Sequence, residues 1–241
     1  MNFKDLALNK ILFLDIETVP AFAAYDQLPP QWKKLWDIKA SYVNHDNLPD
    51  EEFYHQAGIY AEFGKIVAIS LAFITTKMEL RVKTYYGDDE KCILENFKTL
   101  LEKYFSTTDS YLCAHNGKEF DFPYIARRML VNNISLPAIL DNHGRKPWET
   151  RFLDTMELWK FGDYKHFTSL ELLTTLFDLP SPKTETSGQD VWRIYWQDHD
   201  LERIATYCEK DTISVAQIFL KLRGQSVIQP ENITISDRQK C

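Results

Sequence analysis

The chain has 241 residues, near the upper end for one compact domain, so a single domain over 1–241 is expected. Hydrophobic residues make up 44% and charged residues 26%, a globular composition that excludes a disordered or collagen-like chain. With 28 Lys and Arg against 35 Asp and Glu the net charge is −7, the wrong sign for a protein that coats nucleic acid by bulk charge. It does not exclude an enzyme that meets nucleic acid in one cleft and binds cations there. Cys92, Cys113, Cys208 and Cys241 include no CxxC pair, so neither a zinc site nor a disulfide framework is expected. No run approaches the roughly eighteen apolar residues of a membrane span, and Met-Asn-Phe-Lys-Asp-Leu does not read as a secretion signal. The default expectation is a cytoplasmic protein with no membrane partner.

Ile11-Leu12-Phe13-Leu14 is wholly apolar and predicts a strand buried on both faces, ending at Asp15-Ile16-Glu17-Thr18, with Pro20 as a stop. Residues from about 21 to 63 form a polar, aromatic-rich insertion. Its Trp32 and Trp36 share a face if that stretch is helical, and with Tyr42 they suit packing onto the sheet better than stacking on bases. Gly64–Ile74 and Glu79–Tyr86 predict a hairpin across Thr75-Thr76-Lys77-Met78. Asp88 or Asp89 caps a helix with the stripe Ile93, Phe97, Leu100, Leu101 and Tyr104. Tyr111–Ala114 is a fourth strand, Phe122–Val131 a helix and Phe152–Thr155 a fifth strand. A long helix over Asp200–Leu222 follows a mainly helical stretch, and residues 224–241 read as a loosely held polar tail. A hairpin followed by alternating strands and helices implies a mixed α/β sheet covered by helices.

Three places carry acids in a suggestive setting. Asp15 and Glu17 are two apart on a strand and project from one face. Two buried like charges repel, and a divalent cation with hard oxygen ligands relieves both the repulsion and the burial cost. A strand merely ending at solvent gives the same dipeptide spacing. Asp121, after Asn116-Gly117-Lys118-Glu119-Phe120, sits where a helix begins and could equally be a cap. Tyr207 and Asp211 lie at i and i+4 on one face of the last helix, beside Ala205 and Cys208, which read as buried.

In order and spacing these elements resemble the DEDD superfamily of 3′–5′ exonucleases in its tyrosine-bearing branch, DEDDy. Their surroundings are similar to the proofreading exonuclease domain of family-B DNA polymerases in its stand-alone bacterial form. Asn116-Gly117-Lys118, Phe120-Asp121-Phe122-Pro123, Leu153-Asp154-Thr155, Ser169-Leu170, and Lys183 with Gly188 and Val191 extend the likeness over about 8–223. The resemblance implies a ribonuclease H-like fold: a mixed five-stranded sheet, order 3-2-1-4-5, with helices on both faces. The insertion is longer than a hairpin turn, and no polymerase domain follows, so proofreading in cis is not expected.

The resemblance further implies phosphodiester hydrolysis with two divalent ions, Mg²⁺ or Mn²⁺, about 3.5–4 Å apart. Asp15 would bridge them, Glu17 and Asp211 would hold the nucleophile-side ion, Asp121 the other, and Tyr207 would orient the attacking water. Asn116, Lys118, Phe120 and Thr18 become substrate-binding candidates, with Lys118 foremost for a phosphate. Arg127, Arg128, Arg145, Lys146, Arg151 and Lys183 are weaker ones. Asp154 reads as a helix cap, and Cys113 and His115 as structural. The expected substrate is the 3′ end of single-stranded nucleic acid, DNA ahead of RNA. An exoribonuclease and an inactive scaffold of the same fold are the alternatives, the scaffold disfavoured because it has no use for clustered charge.

Overall fold

A ten-residue strand, β1 (Ile11–Pro20), runs through the centre of the computed structural model, which describes residues 3–163, 167–179, 187–236 and 238–241. After it come α1 (Pro30–Val43), α2 (Asp50–Phe53) and a 3₁₀ turn over Tyr54–Ile59. The hairpin strands β2 (Gly64–Ile74) and β3 (Leu80–Tyr86) follow, then α3 (Glu90–Tyr104), β4 (Tyr111–Ala114) and α4 (Asp121–Val131). β5 (Phe152–Asp154) leads into α5 (Thr155–Lys160) and α6 (Leu170–Leu176). A short α7 (Val191–Arg193) and a π turn over Ile194–Asp198 precede the long α8 (Leu201–Leu222), after which come β6 (Ile233–Ile235) and β7 (Gln239–Lys240).

Alternation along β1 decides what lies on each face. Leu12, Leu14 and Ile16 pack with Ile93, Phe97, Phe122 and Ile125 of α3 and α4, whereas Ile11 and Phe13 pack with Val215, Ala216 and Phe219 of α8. Asp15 and Glu17 continue the second series, so both acids turn toward α8. The strand runs past both acids and stops at Pro20, the stop expected. It continues to Pro20 paired with β2, while its parallel pairing with β4 stops at the Phe13–Cys113 step. Beyond Phe13 the strand is no longer paired with β4, and the Ile16 backbone N–H is taken by Asp121 of α4. A register shift at Glu17/Thr18 sets Glu17 opposite Ala68 and Thr18 opposite Ile66, leaving Val67 as the extra residue of a bulge.

The sheet runs β5-β4-β1-β2-β3, the expected order, with β1, β4 and β5 parallel and β2 antiparallel to both β1 and β3. This mixed α/β arrangement is ribonuclease H-like. Its far edge departs from expectation, because the segment after Gly224 is not loose. β6 and β7 each pair in parallel with β3, and Ile228 is buried with two hydrogen bonds to the Gln217 side chain. Arg238 binds Glu209, Glu202 and Thr206 on α8. Cys241 is disulfide-bonded to Cys92 on α3, with Cα atoms 5.6 Å apart. The absence of a CxxC pair did not preclude a bridge between cysteines 149 positions apart. Cys113 and Cys208 are free and buried.

The insertion has its own small core. Trp36 is fully buried, stacked on Phe53 and edge-on to Tyr54 and Phe63, while Trp32 touches Phe63 and stays half-exposed. Tyr42 does not pack; it is 75% exposed. The 3₁₀ turn is pressed against β1 at Gly58, where a Cβ would meet the Val19 carbonyl carbon at 3.0 Å and Pro20 N at 3.1 Å. The Tyr124 hydroxyl on α4 donates to the Gly58 carbonyl at 2.8 Å. Any side chain at 58 would push the turn away from the acids. Among the described residues, no helix is long and apolar enough to cross a membrane.

Candidate active site

A cavity of about 690 Å³ opens over β1. Its floor is Asp15, Glu17 and Thr18 from β1 with Tyr207 and Asp211 from α8, and Phe120 closes one side. α8 reaches the floor because its buried stripe, Ile204, Ala205, Cys208, Thr212, Val215 and Phe219, lies against β1 and β2. Tyr207 and Asp211 flank that stripe, one turn apart, and are hydrogen-bonded to each other. The Cys208 thiol donates to the Asp15 carbonyl at 3.3 Å. One ligand atom each from Asp15, Glu17 and Cys208 lie within 4.8 Å of one another.

Asp121 begins α4 behind this floor, 3% exposed, and accepts the Ile16 backbone N–H. It does not line the cavity, yet its charge acts on both Asp15 and Glu17. Four carboxylates from three elements therefore share one buried field. Burial first, and then Glu17, Asp211 and Asp121, hold the Asp15 carboxyl well above the ordinary carboxylate range. Glu17 is raised by burial and by Asp211 and Asp121. Burial pushes Asp121 up to about 7, with the Asp154 charge adding to it. Asp211 is pushed up to about 6 by burial, against the hydrogen bond from Tyr207. Burial and the surrounding acids raise Tyr207 further, so its hydroxyl stays a donor at neutral pH.

The donor set suits a hard divalent cation. Among the described residues Asp15 Oδ2 is buried with no hydrogen-bond partner, a costly state for a carboxylate oxygen that a cation would relieve.

The other candidates divide. Thr18 and Phe120 line the cavity; Asn116 and Lys118 do not. Asn116 has a positive φ of 59°, and its Oδ1 is buried without a hydrogen-bond partner among the described residues. Lys118 faces a second cavity, about 550 Å³, on the other side of the 118–120 turn, and is ion-paired with Glu157 of α5. Arg127 and Arg145 line that second cavity. Arg128 is bound to Glu90 and the Ala61 carbonyl, and Arg151 to the carbonyls of Thr107 and Ala138. Both arginines are structural. Lys183 lies outside the described residues. Asp154 caps α5, accepting from Met156 N and Glu157 N, and also binds the backbone N–H groups of Asn116 and Lys118. One buried carboxylate thus caps a helix and shapes the 116–118 turn. His115 is held by Thr155 and the Thr168 carbonyl and is structural too.

The opposite wall was not foreseen. It consists of Glu52, His55, Gln56, Gly58 and Ile59 from the insertion with Gly188, Gln189 and Trp192. His55 and Trp192 are 137 positions apart and no spacing rule links them.

Residues 59–232 match the model of a family described as a predicted 3′–5′ exonuclease related to the exonuclease domain of PolB. The chain belongs to this family. The matched range includes Asp121, Tyr207 and Asp211, while Asp15, Glu17 and His55 precede it. Among solved structures, the family-B DNA polymerase from the hyperthermophilic archaeon Pyrobaculum calidifontis is similar in fold, with a TM-score of 0.51 and 15% identity. The match covers 88% of this chain and 24% of the polymerase, so the chain spans about a quarter of that protein.

Proposed function

We propose that the chain is a metal-dependent 3′–5′ exonuclease that removes nucleotides from the 3′ end of single-stranded DNA as nucleoside 5′-monophosphates. The observation that carries this reading is the convergence of Asp15, Glu17, Asp121 and Asp211 on one buried field at a cavity floor, with an Asp15 oxygen left unpartnered. Asp15, Glu17 and Asp211 would hold one divalent ion and Asp15 with Asp121 a second. Mg²⁺ or Mn²⁺ bound there supplies charge neutralisation at the phosphate and lowers the pKa of a bound water. Tyr207 does the rest of the positioning: as a permanent donor tied to Asp211, its hydroxyl orients the attacking water without taking its proton. Phe120 and Thr18 border the path of the strand. Lys118, spent on Glu157, stands on the far side of the 118–120 turn and is not assigned a phosphate of the reacting nucleotide.

The test uses 5′-labelled single-stranded DNA and a matched RNA with Mn²⁺ or Mg²⁺, beside Asp15→Asn. A metal-dependent ladder shortening the DNA from its 3′ end, reduced about 10³-fold in the variant, is expected. No cleavage of either strand by the folded, metal-supplied protein overturns the reading.

A further inference from the structure

The acids account for only one end of the cavity. At the other end His55 and Trp192 lie face to face, centroids 3.5 Å apart and planes 11° from parallel. His55 stands on the 3₁₀ turn that Gly58 holds against β1; Trp192 stands on α7, whose Val191 is buried against Val19 and Val67. Each ring is therefore fixed by a different part of the core, and both are only partly buried and line the cavity. Beside them are Gln56 and Gln189, one from each of the same two segments, and both are exposed. A primary amide carries a donor and an acceptor and can turn to match either kind of base edge.

A flat aromatic wall, two adaptable amides and a carboxylate floor across one cavity make up the chemistry of a nucleotide. We propose that the His55–Trp192 stack, with Gln56 and Gln189 at its side, is the seat of the base of the 3′-terminal nucleotide. This rests on the nuclease reading above and extends it from phosphate to base. A base laid against the stack adds one more ring to the pile, while its phosphate reaches Asp15 and Glu17. Stacking accepts any base, because each has a π face, so the seat tolerates all four and rejects a nucleotide that has none. The insertion thereby gains a role in substrate binding: its turn brings one of the two rings.

Two measurements test it. In the first, cleavage is compared on strands ending in a normal nucleotide and in an abasic one. The parent should prefer the normal end by about 10- to 100-fold in kcat/KM, the range typical of one base on an aromatic. Trp192→Ala should bring that ratio close to one, and Trp192→Phe should restore most of it. A ratio unchanged in folded Trp192→Ala overturns the seat and leaves the nuclease standing. The second needs no turnover: nucleoside 5′-monophosphates should quench tryptophan fluorescence in the parent and not in Trp192→Phe, and deoxyribose 5-phosphate should quench neither. Quenching without cleavage keeps the seat and sinks the nuclease; equal quenching in parent and Trp192→Phe sinks the seat.

Discussion

Asp15 stands between two opposed demands. Its unpartnered oxygen, buried among Glu17, Asp121 and Asp211, costs stability when no cation is present, and that same strain is what would make the site bind one. Asp15→Asn should therefore separate the two effects. Turnover should fall about 10³-fold, roughly 4 kcal/mol of barrier, while the metal-free protein melts at a higher temperature than the parent at pH 8. A lower melting temperature would show that the acids are not in conflict. Tyr207 makes the contrasting case, since its hydroxyl acts through Asp211 and a water. Tyr207→Phe should lose about 10- to 100-fold in turnover; a loss as deep as that of Asp15→Asn refutes the orienting role. That Tyr207 and Asp211 share one face was legible from helical spacing; a site for them came only with the resemblance. The Lys118–Glu157 ion pair was not legible, because Glu157 comes from α5, 39 positions on.

Among elements, those with a long apolar period were read well. β2, α3, α4 and α8 fall where alternation and helical stripes put them, and Asp89 caps α3 by accepting Cys92 N. β1 stops at Pro20 as read, and its antiparallel partner β2 carries it there past the charged residues. β6 and β7 were missed. Runs of three and two residues have no periodicity, and each exists only because the β3 edge is there to pair with. The wall that holds His55 and Trp192 was invisible on the same ground: it is a contact between segments, with no local pattern. The edge segment should contribute measurably to stability. Deleting residues 225–241 takes away the buried Ile228 with both of its hydrogen bonds to Gln217 and leaves Glu209, 2% exposed, without Arg238. The loss should be about 5 kcal/mol, lowering the melting temperature by about 10 °C or more. An unchanged melting temperature would mean that β6 and β7 rest on the sheet without supporting it.

At the scale of the whole molecule, the buried acids give the stability a direction in pH. Carboxyls raised to about 6 and about 7 in the folded chain, Asp211 and Asp121, bind protons there that the unfolded chain has already released. Their contribution is fully present below about pH 4. It is lost as pH rises through those folded values. Without divalent ions the melting temperature should accordingly fall between about pH 5 and 8, and saturating Mn²⁺ should flatten the fall by holding the charged forms. The check is a set of melts across that range with chelator and with Mn²⁺. Equal slopes in the two series would remove the acids from the metal site.

The bridge between Cys92 and Cys241 also decides how the site is strung on the chain. It closes the polypeptide into a covalent ring that contains α4 and α8, and so Asp121, Trp192, Tyr207 and Asp211. Asp15, Glu17 and His55 hang outside it on a linear arm. A single backbone cut inside the ring leaves every one of these groups in one covalent piece. A single cut in the arm between His55 and Cys92 severs the first acids and one stacking ring from all the others. While the bridge is closed, the two halves of the site differ in topology even where their side chains meet.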